Sequence, residues 1–193
     1  MTDLELHLVR HGETEWSAAG RHTGRTDLPL TERGEEQARA LAGRLDPDEY
    51  GLVLASPRLR ARRTAELAGF TGPHAPTVDD GLVEWDYGEY EGRTSAEIRE
   101  TVPDWTVWTH PTPGGESTDE VRRRLLGVIE RIRDSGVDRA ICFGHGHALR
   151  ALTLCWLGFD LSLGGHFPLQ TGTVSVLGRE KELPAIRQWN APA

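Results

Sequence analysis

The chain has 193 residues, 37% hydrophobic and 27% charged, which suits one domain with a buried core and leaves no apolar run near the roughly 20 residues of a membrane-spanning helix. Twenty-two basic residues against thirty acidic ones give a net charge of −8, which opposes binding to a nucleic-acid backbone or an anionic membrane surface. The opening MTDLELHLVRHGE has acids before any base and no long apolar stretch, so it does not read as a secretion signal and a cytoplasmic location is expected.

In chain order, Glu5 to Val9 (ELHLV) reads as a first strand, Glu32 to Leu45 as a helix, Gly51 to Ala55 (GLVLA) as a second strand and Arg58 to Ala68 as a helix. Two S/T-x-x-E capping boxes, at Thr94/Glu97 and Ser117/Glu120, start two further helices. Arg139 to Phe143 (RAICF) is a third strand, followed by a helix over His147 to Leu157. Thr173 to Leu177 and Ala185 to Trp189 form a closing hairpin. The alternation predicts an α/β fold, a three-layer α/β/α sandwich around a mostly parallel mixed sheet, with residues 1–193 as a single domain.

Ligands of such sheets bind where loops leave the carboxyl ends of the strands. Those loops read Arg10-His11-Gly12-Glu13-Thr14, Ser56-Pro57-Arg58-Leu59-Arg60 and Gly144-His145-Gly146-His147. A phosphate monoester carries about −1.5 to −2 charge, which two guanidinium groups, Arg10 and Arg60, match. A single lysine, Lys181, leaves nearly all positive charge on such groups. Attack on phosphorus needs a nucleophile unprotonated near neutrality, and a histidine meets that condition without a metal; His11 stands beside Arg10. A second, protonated histidine, His145, would stabilise charge spreading over the phosphoryl oxygens. The leaving oxygen needs a proton from a carboxylic acid kept protonated by partial burial, and Glu84, between Leu82 and Trp85, fits. Gly12 and Gly146 let backbone N–H groups approach an anion.

Each His-Gly pair alone is weak evidence, since a turn histidine satisfied by backbone is the commoner case. Three such loops together point to one site. Arg58, Arg62 and Arg63 read as solvated or ion-paired. His147 reads equally as a substrate contact and as a first-turn helix residue, while His7, His74, His110 and His166 read as structural or surface residues. Trp105 and Trp108 read as core packing ahead of a lid. Cys142 and Cys155 are expected as buried thiols. GHGHAL lacks the third small residue of a dinucleotide fingerprint, His145-x-His147 lacks a third ligand for a metal, and neither a G-x-S-x-G elbow nor a P-loop is present. No cofactor and no metal are expected.

LVRHGETEW at 8–16, TGRTDLPLTERG at 23–34, SPRLRARRTA at 56–65, LVEWDYGEYEG at 82–92 and GHGHALRAL at 144–152 together resemble the histidine phosphatase superfamily, which includes phosphoglycerate mutases and many acid phosphatases. The resemblance covers nearly the whole chain. It implies a phosphohistidine on His11, a phosphoryl group gripped by Arg10, Arg60 and His145, and proton donation by Glu84. It also implies substrate contacts from Thr23 and Gly24, with Gly146 and His147 beside the phosphate. Mutases usually have Asn at Ser17, a position on the substrate side, and carry a basic insertion after the equivalent of Gly92. Here 93–117 holds only Arg93 and Arg99 as permanent cations, so a phosphatase is expected, with a mutase as the alternative. The runs resemble actinobacterial acid phosphatases and fungal sedoheptulose bisphosphatase, which implies a small phosphorylated metabolite as partner, a sugar phosphate or a phosphoglycerate-like compound. A homodimer is compatible with the sequence.

Overall fold

The computed structural model describes residues 4–192. Strands β1 (Glu5–Arg10), β2 (Leu52–Ala55), β3 (Thr77–Val78), β4 (Arg139–Gly144), β5 (Thr173–Glu180) and β6 (Leu183–Pro192) form one sheet of order β3-β2-β4-β1-β5-β6. β3, β2, β4 and β1 run parallel, and β5 and β6 close the sheet as an antiparallel hairpin. The helices are α1 (Glu15–Ala18), α2 (Glu32–Leu41), α3 (Leu59–Leu67), α4 (Ser95–Arg99), α5 (Thr118–Asp134) and α6 (Gly146–Leu157).

Side-chain alternation along the strands generates the layers. Leu6 and Leu8 of β1 and Ala140 and Cys142 of β4 enter a core shared with α5 and α6. Val9, Ile141 and Phe143, one residue out of phase, enter a second core with Leu41 of α2 and Ala65 of α3. α5 presents Val121, Leu125, Val128, Ile129 and Ile132 to the first core, a helical stripe begun by the Ser117/Glu120 capping box. The box at Thr94/Glu97 starts α4 in the same way. Trp105 and Trp108 are both buried in the first core. Both cysteines are free and buried, and burial pushes both thiols up from their ordinary pKa.

The elements depart from expectation at their ends. α2 stops at Leu41, four residues early, although Leu45 still packs in the second core and so extends the apolar period past the helix. The hairpin strands run longer than the apolar pattern because their outer residues are half-exposed or exposed. β3 has two exposed residues, too few for any alternation to register. His7 meets the Tyr50 hydroxyl at 3.0 Å, His74 the Asp48 carboxylate at 3.1 Å and His110 the Thr109 hydroxyl at 3.0 Å.

Candidate active site

Because β4 lies between β1 and β2 and all three are parallel, their outgoing loops meet at one edge. Two backbone bonds lock them together: His11 N–H donates to the Gly144 carbonyl at 3.0 Å, and Ser56 N–H to the Phe143 carbonyl at 2.9 Å. A cavity of about 180 Å³ opens there. Arg10, His11, Ser17, Thr23, Glu84, Gly146 and His147 line it, whereas Arg60, His145 and Gly24 are not among its lining residues.

His11 is buried, and its Nδ1 lies 2.7 Å from the Gly12 carbonyl oxygen. A carbonyl only accepts, so Nδ1 carries the hydrogen and Nε2 keeps its lone pair. Burial first, then the Arg60 and Arg10 charges, hold its pKa well below the ordinary value, and the ring is neutral at pH 7. The loop is seated tightly: Gly12 N–H donates to Thr64 Oγ1 at 3.0 Å, and a Cβ on Gly12 would lie 2.2 Å from the Gly34 carbonyl oxygen. Arg10 donates through Nη1 to the Leu169 carbonyl, and its Nε is buried with no hydrogen-bond partner. Gly146 leaves room for this guanidinium, since a Cβ there would stand 3.2 Å from Arg10 Cζ.

Arg60 is 0% exposed. Its Nη1 donates to the Thr26 carbonyl and its Nη2 to the Thr23 carbonyl, both at 2.9 Å, while Nε donates to Nδ1 of His145 at 3.1 Å. The His145 ring packs edge-on to that of His11, with centroids 5.2 Å apart. Burial and the neighbouring Arg60 charge hold its pKa well below the ordinary value. The sequence suggested a charged ring; here burial first, and then the guanidinium at Nδ1, disfavour the charge. A phosphoryl dianion at the site would supply the negative charge that favours protonation.

Glu84, 7% exposed, was selected in the sequence for burial; the fold adds its hydrogen bonds. Oε1 accepts the N–H groups of Trp85 at 2.9 Å and Ala148 at 2.8 Å, and Oε2 accepts that of His147 at 3.0 Å. Oε2, with one bond, is the oxygen with capacity for a transferable proton. Ser17 forms a capping box with Thr14, its Oγ accepting from Thr14 N–H at 2.8 Å. Gly24 gives its N–H to the Glu91 carboxylate at 2.9 Å, and a Cβ there would meet the Trp85 carbonyl oxygen at 2.6 Å.

Five lining residues escaped the sequence reading: Gly20, Arg21, His22, Tyr87 and Arg150. His22 is buried, its Nε2 is 3.1 Å from Ser95 Oγ, and burial lowers its pKa to about 4. The Tyr87 hydroxyl is 2.6 Å from His147 Nδ1. Arg150 donates through Nε to the Gly164 carbonyl at 3.0 Å and lies over the Trp108 ring at 4.7 Å, and burial lowers its pKa to about 10. Arg150 had a signal, since it stands one helical turn after Gly146 and His147 and shares their face. His22 had only its place beside Thr23.

A family model described as histidine phosphatase superfamily (branch 1) matches residues 6–192. The chain is 42% identical to an acid phosphatase of Mycobacterium tuberculosis over 91% of this chain and 86% of that protein. It is 36% identical to sedoheptulose 1,7-bisphosphatase of Saccharomyces cerevisiae, covering 80% and 68% of the two chains. The solved structure of a Mycobacterium tuberculosis open reading frame superposes with a TM-score of 0.92 at 37% identity, over 98% of each chain.

Proposed function

The chain belongs to the histidine phosphatase superfamily, which with its phosphatase relatives makes it a phosphoric monoester hydrolase, and we propose that it works without a metal ion, through a phosphohistidine formed on Nε2 of His11. In the first half-reaction the Nε2 lone pair attacks phosphorus, the bond to the leaving oxygen breaks, and Glu84 gives that oxygen its proton. In the second, water attacks the phosphohistidine, Glu84 takes the water's proton, and inorganic phosphate departs. The proton Glu84 gives up in the first half-reaction is returned to it in the second, so the cycle balances. Arg10 and Arg60 offset the phosphoryl charge, so the chemistry calls for no further cation.

The observation that carries this reading is the His11–Gly12 bond, which leaves Nε2 of a neutral ring bare at a cavity lined by Arg10, with the Arg60 charge also acting on the ring. Hydrolysis is favoured over retransfer by the phosphatase relatives, and the two cations of 93–117 are engaged outside a cavity whose further cations are Arg21 and Arg150. Arg93 donates to the Glu97 carbonyl at 2.7 Å and Arg99 to the Trp105 carbonyl at 2.9 Å. We read the substrate as a small phosphorylated metabolite, in keeping with the acid phosphatase and the sugar bisphosphatase among the relatives.

Phosphorus NMR of the protein with 3-phosphoglycerate, a trace of its bisphosphate and a chelator tests this reading. Growth of the inorganic phosphate signal, abolished in His11→Ala, is expected. Growth of 2-phosphoglycerate with little free phosphate would establish a mutase, and near-wild-type phosphate release by His11→Ala would overturn the phosphohistidine.

A further inference from the structure

Ser56, the first residue after β2, is fully buried, as is His145. Its Oγ lies 2.7 Å from His145 Nε2 and also accepts the Arg58 backbone N–H at 3.4 Å. The proton on His145 can be placed by elimination. Arg60 Nε only donates, so Nδ1, 3.1 Å away, must be bare. The neutral ring then carries its hydrogen on Nε2, and Ser56 Oγ is the acceptor. Two bonds on opposite sides therefore hold the ring. A 180° flip would turn carbon atoms toward both the guanidinium and the hydroxyl and forfeit both bonds.

We propose that Ser56 is a positioning residue for His145: its hydroxyl accepts the Nε2–H and, with Arg60, clamps the imidazole in the orientation the phosphoryl group meets. The inference rests on the phosphatase reading and assigns Ser56 no contact with substrate. Without the hydroxyl, the ring keeps one tether and a buried N–H without an acceptor, a cost that loosens the group before substrate arrives. The charged and titratable groups facing the ring are Arg10 and His11 from the β1 loop and Arg58 and Arg60 at the start of α3.

Ser56→Ala and the hydroxyl-retaining Ser56→Thr test this, read by turnover of p-nitrophenyl phosphate and by imidazole NMR. In wild type the His145 Nε2–H is expected to give a downfield, solvent-protected proton. The alanine variant is expected to lose that protection and to drop kcat about tenfold or more, with KM within about threefold. The threonine variant is expected to recover both signals. A folded alanine variant with kcat within twofold of wild type, or with the protected proton intact, overturns the proposal, as does a folded threonine variant no better than alanine. If Ser56→Ala does not fold, wild-type NMR still decides: the opposite tautomer, with hydrogen on Nδ1, overturns it. Absence of wild-type turnover would instead defeat the phosphatase reading.

Discussion

The carboxylate of Glu84 accepts the backbone N–H of Ala148 at 2.8 Å across 64 residues of sequence. With the His147 N–H bond at 3.0 Å, it caps the first turn of α6, whose positive dipole end faces it. The group proposed to move protons is thereby fixed to the same helix that carries Gly146 and His147 into the cavity.

Replacing Glu84 with Gln keeps the shape and removes the transferable proton. We expect kcat toward an alkyl phosphate to fall about 10²- to 10⁴-fold, the usual worth of general acid catalysis. With p-nitrophenyl phosphate, whose leaving group needs no proton, the loss should be markedly smaller. Equal losses on both substrates would refute the acid role.

Five imidazoles, His7, His11, His22, His145 and His147, have pKa values lowered in the fold, each chiefly by burial. A base whose folded pKa lies below its unfolded value near 6.5 binds more protons unfolded, so its contribution to stability is complete above pH 6.5 and is lost as pH falls toward the folded value. For His22 the window runs from about 6.5 down to about 4. Urea denaturation at pH 7, 6 and 5 should show stability falling, with a slope for each such ring that approaches about 1.4 kcal/mol per pH unit once the pH is well below 6.5 and above the folded value. A flat profile would mean that these rings are not buried neutral.

Gly34, at the start of α2, meets the loop that follows His11 backbone to backbone: a Cβ there would lie 2.1 Å from the Glu13 carbonyl oxygen. Gly34→Ala must push that loop off the helix. Overpacking of this kind costs about 1–3 kcal/mol, and the shift should lower kcat more than it raises KM because His11 moves with the loop. Thermal melting and steady-state kinetics check both effects; wild-type Tm and kcat together would show that the contact yields freely.

The sequence by itself determined the parts that are contiguous or periodic. Arg10, His11 and Gly12 are neighbours at the end of β1, so the proposed nucleophile and the guanidinium beside it could be picked out from spacing. Strand alternation and capping boxes announced the layered fold, because those signals depend on neighbours within a few residues. The tertiary structure alone decided what depends on distant partners. Arg60 reaches His145 across 85 residues and sets that ring's tautomer, while burial, ahead of the Arg60 charge, lowers its pKa. His22 and Arg150 join the cavity wall through packing against Tyr87, Trp105 and Trp108, aromatic side chains brought together by the fold. Hydrogen-bond direction and desolvation are properties of the assembled neighbourhood, and no local pattern encodes them.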